Sequence, residues 1–77
     1  MSIEKEFRVY NPEGLGEAVR HFRGQAGMTQ VELAEIVGIR QSYLSELENG
    51  NVNEQVRRLI ALFKVLGVRV VVGQADW

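Results

Sequence analysis

Four glycines constrain this chain more than any other feature. Gly27, Gly38, Gly50 and Gly67 each follow a stretch whose apolar residues recur at helical spacing. Glycine accepts the left-handed backbone in which helices commonly end, so each position reads as a stop. The chain is thereby divided into four short helices. The first opens at Asn11-Pro12, with Asn as N-cap and Pro in the first turn, and carries Leu15, Ala18, Val19, Phe22 and Ala26. Gly14, Gly16 and Gly24 lower its intrinsic propensity by up to about 1 kcal/mol each, so it must lean on tertiary packing. Thr29-Gln30-Val31-Glu32 is a capping box that starts the second helix, with Leu33, Ala34 and Val37 on one face. The third runs from Gln41 to Asn49 with Leu44 and Leu47 inward. Asn51 or Asn53 caps the fourth, whose stripe is Val56, Leu59, Ile60, Phe63 and Leu66. Leu62 and Val65 fall outside that stripe.

The flanks read differently. Residues 3–10 alternate, with Ile3, Phe7 and Val9 apolar, as a short half-buried strand would. Val68-Arg69-Val70-Val71-Val72 is a β-prone run. A chain of 77 residues buries roughly 60% of its surface and supports one core. The expectation is a mainly α single domain over 1–77, with four to five helices and a short C-terminal strand over 68–73. An extension over 1–10 has room for a short N-terminal strand.

Composition excludes several classes. An apolar fraction of 45% is too high for disorder, and without cysteine there is no disulfide framework and no thiolate metal site. His21 stands alone, so a metal site lacks ligands and surface or capping chemistry is expected for it. Gly14-Leu15-Gly16 lacks the third glycine of a dinucleotide loop. No serine has a base partner nearby in sequence, so no catalytic role is assigned. The N-terminus carries no secretory pattern and no apolar run approaches a membrane span, which makes a cytoplasmic protein the default reading. No cofactor, small-molecule ligand or membrane partner is implied.

Residues 28–50, MTQVELAEIVGIRQSYLSELENG, carry the functional argument. Two short helices meet at a tight turn containing Gly38, small Ala34 permits close approach, and Ile39 plugs the angle between them. That is the helix-turn-helix pattern over 29–49, in which the later helix enters a DNA major groove N-terminus first. Its outward face holds Arg40, Gln41, Ser42, Tyr43 and Ser45. Arg pairs bidentately with guanine, Gln with adenine, and Ser with several base edges. The plainer alternative is a solvated face, and two features favour it: the net charge is −1, and Glu46 and Glu48 would repel phosphate. Glu48 is expected to turn inward or to pair with a basic side chain of the first helix. Arg20, Arg23, Arg57 and Arg58 read most simply as solvated, with a DNA-backbone contact by Arg20 or Arg23 as the alternative.

The pattern TQ-x-x-LA-x-x-x-GI-x-QS-x-L-S-x-LE-x-G resembles the phage-repressor (Cro/XRE) class of helix-turn-helix proteins. The wider layout from Val9 to Val72 is similar to the HipB-like antitoxins within that class. The resemblance implies a homodimer with C-terminal strands paired between subunits, palindromic operators upstream of its own operon, and neutralisation of a HipA-like serine/threonine kinase toxin. It also implies DNA-facing roles for Thr29 and Gln30 at the start of the second helix, with Gln30 on phosphate and bracing Gln41. Arg40, Gln41 and Ser42 match the base-contacting end of the recognition helix, and Tyr43 and Ser45 match positions near base methyls or phosphates. Arg40 departs from the Ser or Thr usual there; losing that N-cap costs about 1 kcal/mol unless Ser42 or a DNA phosphate compensates. Some HipB-like antitoxins have longer tails that end in an aromatic residue engaging the kinase, which makes Trp77 a partner-binding candidate; the plainer reading is a frayed terminal residue.

Val68, Val70, Val71 and Val72 would be an aggregation hazard as an unpaired edge, and pairing with a second subunit removes it. An intramolecular pair with residues 6–10 is the alternative and need not exclude the first. Leu62 and Val65 then become natural dimer-interface residues. Two other functions fit the same residues: a stand-alone phage-type repressor without a toxin, and an interaction module that has lost DNA binding.

Overall fold

The computed structural model describes residues 5–75. The elements are β1 (Phe7–Val9), α1 (Pro12–Gln25), α2 (Gln30–Val37), α3 (Gln41–Glu48), α4 (Glu54–Val65) and β2 (Val70–Val72). Helices α1, α2 and α4 each begin at a short polar side chain that caps them. The Asn11 carboxamide accepts the Gly14 amide at 2.8 Å, and Asn53, rather than Asn51, accepts the Val56 amide at 3.0 Å. At α2 both arms of the capping box form, Glu32 N to Thr29 Oγ1 at 3.1 Å and Thr29 N to Glu32 Oε1 at 2.8 Å. Arg40 stands at the N-cap of α3 and makes no capping bond; Ser42 does not replace it.

Helix α1 is the hub, packed against α3, β1 and α4, while α2 packs on α3. Val9, Ala18, Ala34, Leu44 and Ile60 form the buried core. Gly16 is where α1 crosses the end of α3. A Cβ there would collide with the Leu47 carbonyl oxygen and lie 2.8 Å from that of Glu48. Its helical cost is therefore the condition for close approach. The α2–α3 bend depends on Gly38, which adopts φ 84° and lets Gly38 N and Ile39 N both bond to Ala34 O, at 2.8 and 3.0 Å.

Several expectations are corrected. Helix α1 stops at Gln25, with Ala26 as its C-cap, and the strands shrink to three residues each. Ile3 and Trp77 lie outside the described residues. Val37 is 59% exposed because α2 presents only Ala34 and, in part, Leu33 to the core. Leu59 and Leu66 are exposed too, since α1 covers a narrower stripe of α4 than the sequence offers. His21 joins Phe7 and Phe22 in a three-ring cluster, its centroid 5.1 Å from Phe7 and 4.9 Å from Phe22.

β1 and β2 pair antiparallel within the chain, with Phe7 opposite Val72, Arg8 opposite Val71 and Val9 opposite Val70. Alternation turns Val70 and Val72 toward the body of the domain and leaves Val71 outward. A two-stranded sheet leaves one edge of each strand open.

Candidate nucleic-acid interface

The tight turn at Gly38 presents the N-terminal end of α3 at the surface. Arg40, Gln41, Ser42 and Tyr43 are all exposed there, and Ser45 is half-buried one turn further on. With no side-chain cap, the first-turn amides of α3 keep their donors free for solvent or for an anion such as a phosphate. The Thr29 hydroxyl, by contrast, is already accepting from Glu32.

Gln41 is not free to rotate. Its Nε2 donates to Gln30 Oε1 at 2.8 Å, linking the first residues of α2 and α3. Gln30 Nε2 in turn donates to Glu48 Oε1 at 3.0 Å. Glu48 is 3% exposed, and its carboxylate is gripped by Arg23, with Nε to Oε2 at 2.6 Å and Nη2 to Oε1 at 2.9 Å. Arg23 Nη1 also donates to the Met28 carbonyl at 2.9 Å, which fixes the guanidinium from a third side. Arg20 adds Nη2 contacts to the Glu48 carbonyl at 3.2 Å and to Asn49 Oδ1 at 2.9 Å. The hydrogen bonds from Arg23 hold the Glu48 carboxyl below the ordinary carboxylate range against the opposing effect of burial, with Gln30 helping. The same pairing raises the Arg23 guanidinium above its ordinary value. The Glu32 carboxyl is lowered by its bonds to Thr29.

Two sequence readings change. Arg23 is not a solvated side chain but the partner of a buried carboxylate. Glu48 is not a repulsive charge on the reading face, because it points inward; the expectation that it pairs with α1 matches the structure. The link from Glu48 to Gln30 was missed. A signal for it existed, since Glu48 lies four residues after buried Leu44 on one helix face and must find partners there.

The proposed dimer residues fall into two groups. Leu62, Val65, Val68 and Val71 are exposed, Val65 by 87%. Val70 and Val72 face the chain's own core side. Among the described residues no cluster of His, Cys, Asp or Glu could hold a metal ion, and no helix is long and apolar enough to cross a membrane.

This geometry is that of a helix-turn-helix protein, and residues 19–72 match the helix-turn-helix family, to which the chain belongs. It is 39% identical over 66 residues to "Antitoxin HipB" of Escherichia coli K12, covering 86% of this chain and 68% of the relative. A second "Antitoxin HipB", from Escherichia coli O6:H1, is also 39% identical, with 64% of its length covered. The chain thus spans about two thirds of these relatives. It is also 32% identical over 56 residues to the "Immunity repressor protein" of Bacillus phage phi105, covering 73% of this chain and 39% of that one. No solved structure matches the chain significantly. The similarity is to Cro/XRE-type helix-turn-helix regulators and to proteins named as antitoxins.

Proposed function

We propose that this protein is a cytoplasmic, dimeric, sequence-specific DNA-binding autorepressor and the antitoxin of a HipBA-type system, neutralising a HipA-like serine/threonine kinase. The observation that carries the reading is the braced Gln41 beside exposed Arg40, Ser42 and Tyr43 at the free end of α3. A bracing bond between the first residues of two helices has little use on a merely solvated face. It holds a base-reading amide in one orientation before DNA arrives. Gln30 braces that amide, and Thr29 and Ser45 complete the proposed DNA contacts.

The dimer supplies the second half-site. The apolar side chains Leu62, Val65, Val68 and Val71 form the surface that a second copy would cover, with the β2 edges in register across the two-fold axis. Half-site centres then lie about 34 Å apart, one helical turn, or a multiple of it. Similarity to a phage immunity repressor favours one alternative, a repressor without a toxin. The two are separated by co-expressing the chain with the product of the neighbouring reading frame. Co-purification with loss of that product's kinase activity supports the antitoxin; a neighbour that neither binds nor phosphorylates supports the repressor.

A further inference from the structure

The hydrogen bonds that reach Gln41 have a direction, and chemistry fixes it. An ionised carboxylate only accepts, so Gln30 must offer Glu48 its amide nitrogen, as it does at 3.0 Å. That leaves the Gln30 carbonyl toward Gln41, which must donate to it, at 2.8 Å. One N–H of Gln41 is then spent and one N–H remains beside an unused carbonyl. A donor next to an acceptor complements adenine N7 and N6 in the major groove. Guanine offers two acceptors there and has no donor for the Gln41 carbonyl.

We infer that the buried Glu48 is a specificity-determining positioning residue that sets the amide polarity of Gln30 and Gln41 and so commits Gln41 to adenine. Its Arg23 partner matters because it keeps the carboxylate seated, with both oxygens engaged. A glutamine at position 48 has both a donor and an acceptor. It can accept from Gln30 as before, or donate to the Gln30 carbonyl and reverse both amides. In the reversed state Gln41 accepts from Gln30 and shows two N–H donors, the complement of guanine. The inference rests on the DNA-reading function proposed above.

The test is selection from a random duplex library, followed by anisotropy titration of the selected duplex and its single-position variants. Wild type is expected to yield a motif with one adenine whose replacement by guanine weakens binding about 5- to 150-fold, the range of a good bidentate contact. In Glu48→Gln that ratio should fall at least threefold while ratios at other positions hold. Gln30→Leu should relax the same position, and Glu48→Gln added to Gln30→Leu should change it no further. Where Glu48→Gln alone does not fold, Arg23→Met/Glu48→Gln removes the stranded guanidinium and carries the same expectation. A folded variant that keeps the wild-type adenine ratio, or one that weakens every duplex equally, overturns the inference. A wild-type protein that selects no motif overturns the DNA-reading function on which it rests.

Discussion

Two alanine substitutions in one helix should move stability in opposite directions. At Gly16, a Cβ would meet the Leu47 carbonyl oxygen and sit 2.8 Å from the Glu48 oxygen and 2.9 Å from its carbonyl carbon. These are backbone atoms of α3, so relief requires α1 and α3 to move apart. Overpacking of this kind costs about 1–3 kcal/mol, and the gain in helix propensity offsets up to about 1 kcal/mol. The net loss for Gly16→Ala is about 1–2 kcal/mol, a fall in Tm of about 5–15 °C for a domain of this size. At Gly24, in the same helix, nothing lies within 4 Å of the added Cβ. Gly24→Ala should therefore gain about 0.5 kcal/mol, less than the mid-helix value because it sits in the last turn. Thermal unfolding by circular dichroism at one protein concentration reads both. If Gly16→Ala is as stable as wild type, the close crossing of α1 and α3 is not what holds the domain together.

Acid should weaken the fold through Glu48. Its carboxyl is lowered in the folded state, so its stabilisation is complete above the ordinary value of 4.5 and is lost as pH falls through the lowered one. Urea midpoints should drop over that window in wild type and less in Arg23→Met/Glu48→Gln; parallel curves would contradict the pairing. Gln41→Ala should cost about 1–3 kcal/mol on the preferred duplex and relax one base position, whereas equal weakening on all duplexes would make Gln41 a positional contact. Val65→Glu places a charge on a side chain 87% exposed in the monomer, so it should leave the fold intact and give a monomer by sedimentation. An unchanged dimer would move the interface elsewhere.

The helix boundaries were legible because their signals are local. Asn11, Thr29 and Asn53 cap through their own side chains, and Gly27, Gly38, Gly50 and Gly67 all adopt positive φ. The exposure of Arg40, Gln41, Ser42 and Tyr43 was legible for the same reason, as was the Gln30–Gln41 hydrogen bond through the family pattern. What failed was long-range. Val37, Leu59 and Leu66 fit an inward helical stripe, yet among the described residues they stay half or more exposed. Arg23 looked solvated because its partner is 25 residues away. Whether a small residue such as Gly16 is a weakness or a contact depends on the crossing helix, which periodicity does not encode.

If the N-terminal end of α3, presented twice by a dimer, reads DNA sequence, binding must depend on both sequence and salt. Anisotropy titration with duplexes from upstream of the protein's own reading frame, against scrambled duplexes of equal length, tests it at two salt concentrations. Tighter binding to an upstream duplex is expected, with two chains per site and affinity that falls steeply with added salt as phosphate contacts are screened. Equal binding to both sets, or none to any upstream duplex, would contradict it.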